Sequence, residues 1–236
     1  MTTDAAPARG HSGWKTALAA GLVGALIGGG AVAYGSRQSV RDYLLENPEV
    51  LPEAMDRLRE REAAKVISAN RAALETPFAG AWAGAADADV VLVEFFDYAC
   101  GYCRKSNADV DRLLSEDRKL KVVWREWPVL GPDSEAAART SLAAARAGRF
   151  KPFHDSLFAA GKPSPEAVAR ARAGAGLGPD LPAGIADPEL ANNFELARGL
   201  EATGTPTFVV GDRILQGAVG YEALKEAIEE ARGRKG

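Results

Sequence analysis

Cysteine and histidine are scarce in this sequence, with two residues of each among 236. Two cysteines cannot form the network of bridges that holds a disulfide-rich scaffold together, so that class of protein is excluded. Positive charge is not in excess either, because 29 Lys and Arg residues stand against 32 Asp and Glu residues, for a formal net charge of −3. Nucleic acid is therefore not expected as a partner, since its binding depends on a basic surface.

The overall composition is that of a folded protein. Hydrophobic residues make up 47% of the chain and charged residues 26%, which is too apolar for a disordered protein. The length allows one domain of roughly 150 to 200 residues together with an appendage. Two similar domains would be cramped.

The N-terminal region predicts export. No charged side chain occurs in residues 16–35, and about 20 such residues are enough for a helix to cross the hydrocarbon core of a membrane. Arg9 and Lys15 precede this stretch and favour a cytoplasmic N-terminus. The sequence Ala-Val-Ala at 31–33 offers a signal-peptidase site. Residues 1–36 are thus predicted to anchor the protein at the periplasmic face of the inner membrane or, if cleaved, to release it as a soluble periplasmic protein.

Residues 37–76 are predicted to form a helical extension, interrupted at Asn47-Pro48, because they are rich in Ala, Glu, Arg and Leu. Such a segment is either a solvated linker or a partner-binding helix. Apolar residues at helical spacing favour pairing, so residues 38–76 are predicted to join copies of the chain into a homo-oligomer. The apolar patches are Leu51/Met55/Leu58 and Val66/Ile67.

Residues 77–236 are predicted to form an α/β domain. The apolar run VVLVEFF at 90–96 is typical of a strand covered on both faces. A helix is expected from Gly101 to Leu114, followed by an alternating strand at 121–127 that ends before Pro128. Strand, helix and strand make a βαβ unit, whose two strands run parallel.

The rest of this domain is predicted to begin with helices. Residues 134–201 read as a helical insert, and two strands at 207–210 and 213–216 follow about a Gly-Asp turn. An amphipathic helix over 221–232 closes the chain. Trp124 and Trp127 are interpreted as packing residues of this domain, and His154 as a packed or surface residue of the inserted helices.

The sequence Cys-Gly-Tyr-Cys at 100–103 is the most informative feature. It lies where the buried strand ends and the helix begins, so the unpaired amides of the first turn favour a Cys100 thiolate. Cys103 is one helical turn further, close enough to form a disulfide with Cys100. This arrangement predicts a redox pair in which Cys100 attacks and Cys103 resolves.

Two other roles compete with the redox interpretation of the cysteine pair. A purely structural disulfide is disfavoured, because closing so short a loop removes little entropy from the unfolded chain. Zinc needs four ligands, and the histidines, His11 before the membrane segment and His154, do not complete the set. A Cu(I) pair at the thiolates stays open as a secondary property. No resident metal and no cofactor are predicted.

The motifs and their order resemble the DsbA-like family of thioredoxin-fold thiol–disulfide oxidoreductases, over residues 77–232. Two motifs are similar to those of the ScsC/Com1-like subgroup: Phe-Phe-Asp-Tyr at 95–98, ahead of CGYC, and Gly-Thr-Pro-Thr-Phe at 204–208. Residues 38–76 also resemble the helical N-terminal extension of that subgroup. The resemblance implies a thioredoxin-like fold with an inserted helical subdomain.

The resemblance also assigns roles to individual residues. It implies that Cys100 is the nucleophile, that Cys103 is the resolving thiol, and that Glu94 is a buried acid that exchanges a proton with Cys103.

Substrate contacts are implied in the same way. The family has a cis bond before the proline that packs against the active site, here between Thr205 and Pro206. That bond presents the Thr205 backbone to an extended substrate. Gly101 and Tyr102, within the motif, are expected to contact substrate as well.

The function expected from the resemblance is an exported enzyme that forms, reduces or isomerises disulfides. The Gly-Tyr pair matches DsbC-type isomerases rather than strong oxidases, which often carry Pro-His. Expected partners are cysteine-containing exported proteins and a membrane redox partner that recycles the pair. The alternative is a membrane-tethered thiol protein that binds copper or a client without turnover.

Overall fold

The computed structural model of the chain describes residues 39–178 and 186–234. The chain divides into two units, Met1–Leu58 and Arg59–Gly236. The predicted export signal or anchor at 1–36 lies outside the described residues. Within the described part of the chain, no helix combines the length and the apolar character that a membrane span requires.

The described part of the first unit is helical. Helix α1 covers residues 39–46, and α2 begins at Val50 and extends to Glu75 in the second unit. The break falls at the predicted Asn47-Pro48 interruption, where the Asn47 side chain donates a hydrogen bond to the Tyr43 carbonyl at 2.9 Å. Large apolar side chains of this unit are at least half exposed: Val40, Tyr43, Leu45, Leu51, Met55 and Leu58.

The second unit is an α/β domain. Its elements after α2 are β1 (Trp82–Gly84), β2 (Val90–Phe96), α3 (Gly101–Glu116), β3 (Leu120–Glu126), α4 (Pro132–Arg146), α5 (Phe150–Ala160), α6 (Pro165–Gly174), α7 (Ala186–Gly199), β4 (Thr207–Val210), β5 (Arg213–Gln216) and α8 (Tyr221–Gly233). In the described residues the strands form one sheet in the order β1-β3-β2-β4-β5.

The predicted βαβ unit is confirmed. Strands β2 and β3 pair in parallel, from Val90 opposite Leu120 to Phe96 opposite Glu126, and α3 connects them. Strand β4 pairs antiparallel with β2 and with β5. The edge strand β1 was not predicted. It has only three residues in a Gly- and Ala-rich loop, too few to show the alternation that identifies a strand.

Side chains alternate along β2 and β3, and this alternation divides the core into two layers. Even-numbered residues such as Leu92 and Val122 face helices α3, α5 and α8. Odd-numbered residues such as Val93 and Val123 face α2 and α7. We call these the even face and the odd face of the sheet.

The packing on the odd face shows that one prediction about the helical extension is wrong. Ile67 on α2 is 1% exposed and packs with Val93, Val123 and Leu196. The Val66/Ile67 patch is therefore covered by the sheet of its own chain rather than free for a second copy. An apolar residue on a helix predicts burial, but the sequence does not tell which partner buries it.

The helical insert predicted at 134–201 is present as helices α4 to α7. Residues 179–185, between α6 and α7, are not described. His154 on α5 is 1% exposed and packs among aromatic rings in the even face rather than on the surface. Trp124 and Trp127 are also buried, on opposite faces. Burial lowers the pKa of His154 well below its ordinary value, so this imidazole is neutral at pH 7.

Candidate active site

Cys100 lies in the turn between the end of β2 and the start of α3. It is the N-cap residue of α3, and its Sγ accepts a hydrogen bond from the backbone N–H of Cys103 at 3.4 Å. Cys100 is 6% exposed, whereas Cys103 is fully buried. Both are free thiols in this structure. Both thiols are thus buried, and Cys100 retains slightly more exposure than Cys103.

Surrounding hydrogen bonds lower the pKa of Cys100 to about 5. The Cys103 thiol contributes most, by donating to the Cys100 thiolate, and burial acts in the opposite direction. The Thr205 side chain and the backbone amides of Cys103 and Tyr102 add to the lowering. An N-terminal helix turn stabilises a thiolate in this way because its amides have no other acceptor. Cys100 is therefore ionised at pH 7.

The pKa of Cys103 is shifted in the opposite direction, well above its ordinary value. Burial is the largest cause, followed by the hydrogen bond that Cys103 donates to Cys100 and the negative charge of Glu94. The two thiols share one hydrogen bond, which stabilises the charge on the first and the proton on the second. Cys103 can attack only after a base removes that proton.

Glu94 lies at the centre of the sheet, on the even face. It is fully buried, opposite Trp124 on β3 and Phe208 on β4. The Trp124 indole N–H donates to Oε2 at 3.0 Å, and Oε1 has no hydrogen-bond partner among the described residues. Burial, with a smaller contribution from the Cys100 charge, raises the pKa of Glu94 to about 8, although the Trp124 hydrogen bond acts in the opposite direction. The carboxyl can thus hold a proton near neutral pH.

The loop before β4 meets the active-site sulfur. The Thr205–Pro206 bond is cis, as predicted, and the Thr205 carbonyl oxygen lies 3.2 Å from the Cys100 sulfur, which can donate to it only while it is protonated. The loop is fixed by side chains at both ends: Thr207 donates to the Gly204 carbonyl at 2.7 Å, and the Thr203 backbone N–H donates to the Gln216 side chain at 3.0 Å.

The two residues between the cysteines are on the surface. Tyr102 is 68% exposed, and a methyl group added to Gly101 would meet no described atom within 4 Å. Packing does not dictate either residue. This leaves both positions available for contacts with another molecule.

Sequence reasoning missed Asp97, which is 1% exposed in the turn that carries Cys100. Its carboxylate accepts hydrogen bonds from the backbone amides of Ala99, Val129 and Leu130 and from the Ser134 hydroxyl. A short acidic residue directly after a buried strand, in Phe-Phe-Asp-Tyr, was the available signal, since Asp often accepts from nearby amides in turns.

A second buried polar cluster on the even face was also missed. Tyr98 pairs with the Ser141 hydroxyl at 2.7 Å and lies 3.4 Å from Nδ1 of His154. Glu126 is buried beside them, and burial raises its pKa well above the ordinary value. Glu126 pairs with Phe96 in the sheet, so this neutral acid lies in the same layer as Glu94. No cluster of three or more His, Cys, Asp or Glu side chains fit for a metal ion occurs at 39–178 or 186–234.

Comparison with known proteins identifies the family. The model of the DSBA-like thioredoxin domain matches residues 91–229. The chain belongs to this family. A second model, the copper resistance protein ScsC N-terminal domain, matches residues 37–65. The predicted family is thereby confirmed, together with the thioredoxin-like α/β fold with helical insertions, which is the fold of DsbA-like thiol–disulfide oxidoreductases.

Solved structures agree with this assignment. A linker-deletion mutant of ScsC from Proteus mirabilis is 29% identical and covers 86% of this chain and 96% of its own, with a TM-score of 0.72. A thioredoxin-like oxidoreductase from Silicibacter pomeroyi is 38% identical over 64% of this chain and 91% of its own, with a TM-score of 0.62. A periplasmic thioredoxin-like protein from Salmonella enterica serovar Typhimurium is 26% identical over 69% and 95%, with a TM-score of 0.65.

Curated relatives are longer proteins. The Na(+)/H(+) antiporter NhaA 3 of Salinispora tropica is 31% identical over 156 residues, which is 63% of this chain and 24% of the antiporter. The chain spans about a quarter of the length of the antiporters it matches. The similarity therefore concerns a part of those proteins, and their transport activity is not carried over.

Proposed function

We propose that this chain is an exported thiol–disulfide oxidoreductase that reduces or isomerises disulfides in other exported proteins through a mixed disulfide on Cys100. The observation that carries the proposal is the opposite ionisation of the two thiols, with a Cys100 thiolate near the surface and a protonated, buried Cys103. Such a difference in ionisation serves reactivity, because only a thiolate attacks a disulfide. A purely structural pair does not require it.

In the first step, the Cys100 thiolate attacks one sulfur of a substrate disulfide. The substrate S–S bond breaks, a Cys100–substrate disulfide forms, and the second substrate sulfur leaves as a thiolate that takes a proton from solvent. The substrate stays covalently bound to the protein. The number of disulfides is unchanged at this stage.

Two outcomes follow from the mixed disulfide. For reduction, Glu94 first releases its own proton to solvent. Cys103 then transfers its proton to the Glu94 carboxylate and attacks Cys100 Sγ, so the substrate leaves as a thiolate and a Cys100–Cys103 disulfide remains. The substrate is then reduced by two electrons and the protein is oxidised. For isomerisation, another substrate thiolate attacks the mixed disulfide, forms a new substrate disulfide and restores the Cys100 thiolate.

The charge on Cys100 influences when Glu94 can accept a proton. While Cys100 is a thiolate, its negative charge adds to the burial that keeps Glu94 protonated. Forming the mixed disulfide removes that charge, so the carboxyl ionises more easily when Cys103 must be deprotonated. The Trp124 indole N–H then stabilises the carboxylate.

The surroundings of Cys100 suit an unfolded polypeptide as substrate. The Thr205 carbonyl is 3.2 Å from the sulfur and can pair with the backbone of an extended chain beside Pro206. Tyr102, within the motif, and Leu130, whose amide is bound by the Asp97 side chain, are large apolar side chains that are more than half exposed. Gly101 leaves room for close approach.

The pKa of Cys100 bears on the direction of electron flow. A low thiolate pKa stabilises the reduced protein and makes the disulfide more oxidising. A value of about 5 falls between the values of about 7 for thioredoxin and about 3.5 for DsbA. A reduction potential between those of the two proteins, about −270 and −120 mV, is therefore expected, and the preference for an isomerase or reductase rests on the Gly-Tyr pair of the motif.

Export and assembly are parts of the same proposal. Residues 1–36 would supply the signal or anchor, 37–76 the helical extension, and 77–236 the catalytic domain. A similar protein from Salmonella enterica is described as periplasmic. A membrane redox partner would return electrons to the Cys100–Cys103 disulfide. The exposed apolar residues of the first unit would pair copies of the chain, which brings several Cys100 thiolates to one client.

The test is turnover with a matched variant. The reduced protein should accelerate insulin reduction and the repair of scrambled ribonuclease, and Cys100→Ser should abolish both. Full activity of Cys100→Ser would sink the assignment. Rapid alkylation of Cys100 without turnover of either substrate would instead favour the copper- or client-binding alternative.

A further inference from the structure

Asp97 connects the loops that follow β2 and β3, at the end of the sheet that carries the active site. Its Oδ1 accepts from the Ala99 amide at 2.7 Å and from the Ser134 hydroxyl at 2.6 Å. Its Oδ2 accepts from the amides of Val129 and Leu130 at 2.8 and 2.9 Å. One buried carboxylate thus joins the turn before α3 to the loop between β3 and α4.

The same residue also contacts the nucleophile through its backbone. The Asp97 carbonyl accepts from the Cys100 amide at 3.0 Å. With the Ala99 amide bound to the side chain, this fixes the direction in which the chain enters α3. The position of the Cys100 sulfur relative to the Cys103 amide and the Thr205 loop depends on that direction.

The set of donors requires a carboxylate. Backbone amides only donate, and amides face both oxygens of Asp97, so both oxygens must accept. An asparagine would present an N–H₂ group to one side. The Ser134 hydroxyl can turn to accept from that group, but the Ala99 amide beside it cannot, and it would lose its acceptor.

We propose that Asp97 is a positioning residue that holds Cys100 at the start of α3 and, with its other oxygen, holds the loop of the exposed Val129 and Leu130 against the same turn. This assignment rests on the function proposed above. Asp97 acts through geometry rather than through its charge. Loosening the turn would move the sulfur away from the amides that stabilise its thiolate, and would let the apolar pair move away from the substrate.

The charge and the geometry of Asp97 predict opposite results. Removing a negative charge near Cys100 would by itself favour the thiolate, because like charges repel. The other ionisable groups around this position are Cys103, which lowers the pKa of Cys100, Glu94, whose pKa the Cys100 charge raises, and Glu126, whose pKa the Asp97 charge raises. A rise in the Cys100 pKa after Asp97→Asn therefore indicates lost positioning.

The experiment compares the full reduced chain with Asp97→Asn and with Ser134→Ala, which removes one donor and leaves the amides bound. Thiolate absorbance at 240 nm and the rate of iodoacetamide reaction at pH 4.5 report on Cys100. We expect Asp97→Asn to react about tenfold more slowly, since only the thiolate reacts, and to show a higher KM for an apolar cysteine peptide. Ser134→Ala should stay within about twofold of wild type.

A second variant keeps the test valid if Asp97→Asn does not fold. Asp97→Glu retains the charge and both oxygens but lengthens the arm, so a positioning role predicts a slower alkylation again, and a role of charge alone predicts no change. Lower stability with an unchanged alkylation rate in both variants would overturn the assignment. A wild-type Cys100 that does not ionise below pH 7 would instead overturn the proposed function.

Discussion

Glu94 and Arg125 are buried ionisable residues on adjacent strands of one sheet, and they differ in how many hydrogen-bond partners surround them. Glu94 lies on the even face with one oxygen unpartnered among the described residues. Arg125 lies on the odd face, where its guanidinium donates to Glu189 at 2.7 Å, to Asn193 at 3.2 Å and to the Leu74 carbonyl at 3.1 Å.

The difference follows from what each face packs against. On the odd face, the C-terminal carbonyls of α2 lack partners within the helix, and Arg125 supplies donors to them. Arg125 further donates to the carbonyls of Ala73 and Thr76. On the even face, the neighbours of Glu94 are apolar or titratable, so its charge is disfavoured. On the odd face a buried charge is held by hydrogen bonds to α2 and α7, whereas on the even face a buried acid holds an exchangeable proton.

The first way to sharpen this comparison is to remove the resolving thiol from the even face. Cys103→Ser should lose reductase turnover completely and should accumulate mixed disulfides on Cys100, because nothing inside the protein can release the substrate. Non-reducing gels of the variant with a client protein measure this. If no adduct forms while wild type turns over, the order of attack is wrong.

The odd face should respond in stability rather than in chemistry. Arg125→Met leaves Glu189 and the helix carbonyls without their donor, and we expect a loss of about 3 to 5 kcal/mol in the free energy of unfolding. Urea denaturation measures it, with Arg125→Lys as the control that keeps the charge. Alkylation of Cys100 in the folded variant should match wild type. A change in that rate would contradict the division of roles.

Glu94→Gln should do the reverse. Removing the base that accepts the Cys103 proton should slow resolution of the mixed disulfide roughly a hundredfold, which is the lower range for acid–base catalysis. Stopped-flow release of a fluorescent peptide from Cys100 measures this step. The first attack should change little, since Cys100 needs no base. Equal slowing of both steps would argue for a structural defect instead.

Glu94 should also make stability depend on pH. Its pKa is raised on folding, from an ordinary value near 4.5 to about 8, so the folded protein holds the proton more tightly. The resulting stabilisation is full below pH 4.5 and is lost as pH rises through about 8. The oxidised protein isolates this effect because its thiols cannot ionise. Glu94→Gln should flatten the dependence measured by urea midpoints, and an equal slope in both proteins would refute it.

The smallest effect on the chemistry is expected in the first unit. Replacing Leu51, Met55 and Leu58 by Ser should leave Cys100 alkylation and insulin reduction unchanged. Sedimentation should show loss of the oligomer, and repair of scrambled ribonuclease should fall with it. A wild-type chain that is monomeric at micromolar concentration would reduce this unit to a spacer.

The sequence predicted the parts of the molecule that local patterns determine. VVLVEFF identified a doubly covered strand, and CGYC at its end placed Cys100 on the first turn of a helix. Long periodic segments gave α2, α3 and α8 within a few residues. Glu94 and the cis Pro206 came from the family resemblance, because an acid in an apolar strand is ambiguous on its own.

What the sequence did not predict depends on contacts between distant segments. Ile67 was assigned to an oligomer interface although it packs under its own sheet. Asp97 and Arg125 act through partners more than 30 residues away, such as Val129 and Leu74. No local pattern marks such partners. The three-residue strand β1 was missed because it takes its place from pairing with β3.

The central claim is that the fold ionises Cys100 and keeps Cys103 protonated. It is tested most directly by thiolate absorbance at 240 nm in the reduced protein, titrated from pH 3 to pH 10, with Cys103→Ser and Cys100→Ser to assign the transitions. We predict one transition near pH 5 that belongs to Cys100 and no ionisation of Cys103 in the range. A first transition at pH 8 to 9, as in an ordinary thiol, or ionisation of both cysteines together, would contradict the account.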